Sequence, residues 1–185
     1  MPFKLRRVNA PPSWIFGVFA VLLSASTACH AQTRIFEDPD DADRAWSEIV
    51  ILLPTAPAAE NLLPFYVSPT ATQTFAIDAK SISVGADGVV RYTLLATSAG
   101  GAKSISYEGV RCDVRQKKLY AFGHPDGSWS RARRDQWEPI DGTSANRQQA
   151  VLAADYFCLG GTVAGKAADM VERIRWKRSL QRSLD

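Results

Sequence analysis

Between Val89 and Thr97 apolar and polar residues alternate, and the alternation sorts them onto two faces. Val90, Tyr92, Leu94 and Ala96 share one face; Arg91, Thr93 and Thr97 share the other with Val89 and Leu95. This predicts a strand with the first set toward the core. Gly100-Gly101 reads as a two-residue hairpin loop, which sets Leu94 opposite Tyr107, Ala96 opposite Ile105 and Tyr92 opposite Gly109. In that register Tyr107 is a core residue, Arg91 lies diagonal to Glu108 on the outward face, and Cys112 falls opposite Val89.

Asp87-Gly88 and Asp126-Gly127 are further turn signals, so 81–87 reads as a strand entering the first hairpin and Leu119 to Gly123 as a strand after the second. Pro54, Pro57 and Pro64 limit Leu62 to Val67 to a brief edge strand. Ahead of them, Asp38-Pro39-Asp40-Asp41 caps a short helix carrying Ala42, Ala45, Trp46 and Ile49. Ala145 to Cys158 reads as a helix with Val151, Ala154 and Cys158 on one face, ended by Gly160-Gly161. A last helix starts near Val163, with Ala167, Met170, Ile174 and Trp176 as its apolar stripe. The expected fold is α+β: an antiparallel β-sheet built from hairpins, a short N-terminal helix and two C-terminal helices.

The first 31 residues have a different grammar. Lys4, Arg6 and Arg7 precede an apolar run from Trp14 to Ala25 and small residues ending in Cys29-His30-Ala31, the order of a secretory signal cleaved after Ala31. The rival reading makes Cys29 the lipidated residue of an anchored lipoprotein. Residues 32–185 then form one globular domain in the periplasm. The chain has 22 Lys and Arg against 19 Asp and Glu, and the leader holds three of the cations and no acid, leaving 19 against 19. The basicity belongs to the leader, so nucleic acid is excluded as a partner.

Cleavage also leaves two cysteines, Cys112 and Cys158, in an oxidising compartment, where a disulfide is expected. The bond would close a loop of about 46 residues and constrain the unfolded chain by roughly 4 kcal/mol.

Three stretches, Ile82 to Tyr92, Tyr107-Glu108-Gly109-Val110-Arg111-Cys112 and Phe157-Cys158, resemble the CNP-one-like family of exported proteins of Gram-negative bacteria. The similarity runs from about Trp46 to Cys158. It implies a periplasmic or envelope location and the same cysteine pairing, and carries over no functional residue.

Candidate chemistry is sparse. His124 is the one histidine outside the leader, in the turn Gly123-His124-Pro125-Asp126-Gly127, and a hydrolase acting on envelope material would have to combine Glu108 with His124 or Asp126. Bonded cysteines and a lone histidine do not suit zinc, and no cofactor or metal is called for. Glu108, Arg111, Arg91 and Asp87 could form a polar cluster for a small ligand, although a cross-strand ion pair of Arg91 with Glu108 accounts for two of them. Arg111 would share a face with Val90 and Tyr107, where an unpaired charge is costly. Trp129 to Trp137 interleaves two indoles with Arg131, Arg133 and Arg134, a composition that can stack on sugars or dock an acidic partner. From Glu172 to Asp185 there are Arg173, Arg175, Lys177, Arg178 and Arg182, which suits either a helix dipole or an anionic envelope surface. The reading that emerges is a non-enzymatic envelope protein binding another protein or a small ligand.

Overall fold

In the computed structural model, residues 46–181 are described. The leader, the Cys29 site and most of the predicted first helix lie outside them. Hairpins dominate. Eight antiparallel strands form one sheet in the order β1 (Leu62–Phe65), β2 (Gln73–Asp78), β4 (Val89–Ser98), β5 (Lys103–Arg111), β6 (Gln116–Gly123) and β7 (Trp129–Arg131). The short β3 (Ser83–Val84) also pairs with β4, and β8 (Glu138–Pro139) with β6. Pro64 is accommodated because β1 is an edge strand, as its sequence requires.

The β4–β5 register differs from the expected one by a single residue. Gly101 (φ +84°) donates its N–H to Ser98 O at 2.9 Å, and Ser98 N donates to Ala102 O at 2.9 Å. The loop is therefore Ala99-Gly100-Gly101, a three-residue connection with its last residue in the left-handed region. The same pattern closes the hairpins at Gly88 and Gly127. One extra loop residue pairs Leu94 with Ser106, Thr93 with Tyr107, Tyr92 with Glu108 and Val89 with Arg111. Side chains alternate with period two, so this shift exchanges the faces of all β5 residues. Tyr107 moves off the Val90–Tyr92–Leu94 face and Glu108 moves onto it. Arg91 and Glu108 are thus on opposite faces, and the predicted ion pair between them does not exist.

Both faces are covered. On one, Val90, Tyr92, Leu94 and Val110 pack against Leu152, Phe157, Met170 and Ile174 from the C-terminal elements. These are α1 (Arg147–Val151), its π-helical continuation Leu152–Phe157, and α2 (Ala167–Arg175). The wider π turn ends with backbone carbonyls outside the helical ladder. The C-terminal chain supplies their donors: Gln181 Nε2 to Ala154 O, Leu180 N to Asp155 O, and Arg173 Nη1 to Tyr156 O. Gly160 and Gly161, both with positive φ, form the two-residue loop joining β9 (Cys158–Leu159) to β10 (Thr162–Val163). Asp169 accepts from Lys166 N at 2.8 Å and starts α2, with Met170 and Ile174 buried as its stripe predicts. Trp176 is exposed and bonds Glu172.

The other face is covered by the segment 46–58, which is not helical. Trp46 and Ile49, assigned by sequence to the first helix, belong to an irregular strap ending at a 3-10 turn (Ala59–Asn61). Trp46 Nε1 donates to Asp87 O, Ile49 N donates to the Asp87 carboxylate, and Trp129 Nε1 donates to Pro54 O. Ile51 and Leu53 pack beside Tyr107, Tyr120 and Ala121.

Candidate functional site

Glu108 is 7 % exposed under α1. Its carboxylate accepts from Ser106 Oγ at 2.6 Å, Gln149 Nε2 at 2.9 Å and Tyr92 Oη at 3.0 Å. Burial, then the adjacent carboxylate, pushes the Tyr92 phenol well above its usual range, so it stays protonated as a donor. No cation ion-pairs with Glu108 among the described residues. Three neutral donors satisfy a buried acceptor, an arrangement that fixes a core and leaves no face for substrate.

Arg91, on the strap face, solves burial by direct pairing. Its guanidinium meets Asp87 through two bonds, at 2.6 and 3.0 Å, and approaches Glu48 at 3.4 Å. The side chains of Arg91 and Asp87 are 4 % and 1 % exposed. Burial would raise the Asp87 carboxyl, but bonds from Arg91 and from the Ile49 and Val89 N–H groups outweigh it and hold the carboxyl below its ordinary value. Glu48 is likewise lowered: burial opposes, and the bonds from Lys118 and Tyr120 prevail. Burial and Glu48 together raise Tyr120, whose hydroxyl donates to Glu48 at 2.5 Å. Lys118 bridges Glu48 at 2.8 Å and Asp135 at 2.6 Å. Gly109 makes room for this network, because a Cβ there would stand 2.6 Å from Tyr120 Oη.

Arg111 is also on the strap face, away from Val90. It lies 3.6 Å from the centre of the Trp46 ring and pairs with Asp113 at 2.6 Å, so its charge has both an aromatic and a carboxylate partner. Trp137 meets Trp46 and Tyr120 edge-on at 5.9 and 6.4 Å, and Trp129 meets Tyr107 at 6.2 Å. Both indoles are half-buried anchors of the strap, while Arg131, Arg133 and Arg134 between them are exposed. His124 is exposed in the β6–β7 turn and bonds Ser130 at 2.9 Å; the Asp126 carboxylate caps the same turn through Ser128. Glu108, Arg111 and His124 are therefore placed on one face, the opposite face and a loop tip, with no bond joining any two of them. Of the basic tail, Arg173 is turned inward onto the Tyr156 and Ala164 carbonyls and Arg175 pairs with Glu172, while Arg182 lies outside the described residues.

Cys112 and Cys158 form the expected disulfide, with Cα atoms 5.4 Å apart. It ties the end of β5 to the end of the π turn. The attached helix covers Val110 but not Val89, which faces the strap side with Arg91 and Arg111.

Sequence reasoning passes over a cleft of about 420 Å³ between the β1–β2 connection and the start of α1. It is lined by Ser68, Thr70, Gln73, Arg147 and Gln148, with Phe75 below them and no carboxylate. Arg147 Nη1 lies 3.4 Å from Ser68 Oγ and 3.3 Å from Thr70 Oγ1, and the two hydroxyls are 3.3 Å apart. The signal for it is the hydroxyl-rich run Ser68-Pro69-Thr70-Ala71-Thr72, but nothing local says that Arg147, over seventy residues later, returns to it.

No curated protein and no solved structure matches the chain. The model of the CNP1-like family matches residues 41–175, spanning the sheet, the strap and both helices. The chain belongs to the CNP1-like family.

Proposed function

We propose that this is an exported, non-enzymatic binding module of the cell envelope, and that its ligand-contacting surface is the cleft at Arg147. The observation that carries the reading is a contrast of partners. Glu108, Arg91 and Arg111 each have their charge held by partners inside the fold, whereas the open cleft presents a guanidinium, hydroxyls and amides with no carboxylate beside them. Such a surface suits recognition, which needs a few placed polar groups in a concave site. A catalytic set would need an acid or base facing the reacting atoms.

Export with cleavage after Ala31 gives a secreted form beginning at Gln32. Its intact mass distinguishes this from an acylated form beginning at Cys29. For the binding reading, the purified protein is mixed with a small-molecule extract of periplasm and followed by amide NMR and mass spectrometry. Shifts confined to residues 67–75 and 144–148, with the extract chemically unchanged, support it. Conversion of an extract component that disappears in E108Q would replace it with the hydrolase reading.

A further inference from the structure

We propose that the cleft recognises an oxyanion, a phosphate or carboxylate carried by a small hydroxyl-bearing ligand, with Arg147, Ser68 and Thr70 as its receptor. The inference rests on the binding reading above and adds the chemistry of the ligand.

A guanidinium has five N–H donors in a fixed fork and seeks a planar acceptor for two of them. Arg91 and Arg111 follow this rule, each meeting one carboxylate through two bonds. Arg147 does not. Among the described residues it makes no ion pair, and its two protein bonds, both long and both from Nη1, go to neutral hydroxyls. Nη2 and Nε make no bond within the described residues, so a pair of donors remains for an incoming oxyanion. Ser68 and Thr70 flank Nη1 and lie 3.3 Å from each other. One hydroxyl can donate to the other, which leaves at least one O–H free to donate. The cleft thus offers the open Nη2 and Nε of one guanidinium and a hydroxyl beside its Nη1, donor types that phosphate and carboxylate accept from.

The rest of the cleft selects the body of the ligand. Gln73 and Gln148 line it with side-chain amides that make no bond within the described residues, and amides both donate to and accept from hydroxyl groups. Buried Phe75 beneath them supplies an apolar floor. The absence of a lining carboxylate matters as much, because an acid there would both repel an anion and occupy Arg147. A phosphorylated or acidic sugar meets these requirements, whether free or as the end of a longer glycan.

The test titrates the purified protein with inorganic phosphate, glucose 6-phosphate, glucuronate and uncharged glucose, following amide NMR. Both charged sugars should shift residues 67–75 and 144–148 with saturation, glucose 6-phosphate more tightly than inorganic phosphate, and glucose at least tenfold more weakly. R147A should weaken the charged ligands at least tenfold, R147K should recover part of the loss, and both should leave the remaining spectrum unchanged. Lengthening glucuronate to an acidic oligosaccharide separates the two sources, a tighter end-on fit marking a glycan terminus. Equal binding of glucose and glucose 6-phosphate would overturn the anion inference while the binding reading stands. No shift with any anion, or shifts indifferent to R147A, would also overturn it, and the periplasmic extract then judges the binding reading separately.

Discussion

Each face of the sheet buries a charged residue of a central strand, Glu108 on one and Arg91 on the other, and the two are held by different chemistry. Under the helices, Glu108 is held by three neutral donors from a tyrosine, a serine and a glutamine. Beneath the strap, Arg91 is held by carboxylates from its own strand turn and from the strap itself. A neutral network can lose one unit of charge and keep most of its bonds. An ion pair that loses one partner leaves a desolvated charge behind. The strap face is therefore the more brittle of the two, although the helix face holds most of the apolar core.

The sharpest break of this comparison is R91M, which abandons Asp87 at 1 % exposure and should cost about 3–5 kcal/mol in denaturant unfolding. A cost below about 1 kcal/mol would mean that the strap side relaxes enough to hydrate Asp87.

Next in size is the covalent staple on the helix side. C158S should lower stability by about 2–5 kcal/mol and leave Cys112 reactive to thiol reagents after unfolding. The wild-type form cleaved after Ala31, isolated without reductant, should titrate no free thiol, and two would disprove the bond.

G109A probes the strap face without touching a charge. The added methyl collides with Tyr120 Oη, which is tied to Glu48, so the cost should be about 1–3 kcal/mol by thermal unfolding. G100A has open space around its Cβ and serves as the comparison.

Acid should separate the faces more gently. Asp87 and Glu48 both sit below their ordinary values when folded. Their contribution is complete above the unfolded carboxylate range near about pH 4 and drains away as pH falls through the folded values. Unfolding midpoints measured from pH 7 down to pH 3 should fall below about pH 4, and in D87N that fall should be shallower. Identical profiles would remove the Asp87–Arg91 pair from the acid response.

The strands β4, β5 and β6, their antiparallel pairing, the edge position of β1, Met170 and Ile174 of the α2 stripe and the disulfide are legible in the sequence, because alternation, prolines, helical spacing and cysteine count are local or self-consistent signals; β2, which joins β1 to β4, and the short β7 to β10 carry no such signal. The faces of β5 are not legible either. They hinge on whether Ala99 belongs to the loop, and two adjacent glycines suit either a two- or a three-residue connection. Gly160-Gly161 makes the two-residue turn that the same dipeptide does not make at 100–101. The strap is hidden for a related reason. Trp46 and Ile49 are three apart and fit a helix, while their partners, Asp87 and Arg111, are about forty residues or more away. With the strap read as a helix, Val89, Arg91 and Thr93 read as a solvated face, and Glu108 reads as the partner of Arg91.

The central claim is that Glu108 is a member of the core and that ligand contact belongs to the Arg147 cleft. E108Q tests it most directly, with thermal unfolding and glucose 6-phosphate titration measured on the same sample. The account predicts a loss of about 1–3 kcal/mol, from weakened bonds to Tyr92, Ser106 and Gln149, with the titration at residues 67–75 and 144–148 unchanged. Unchanged stability together with a lost titration would contradict it.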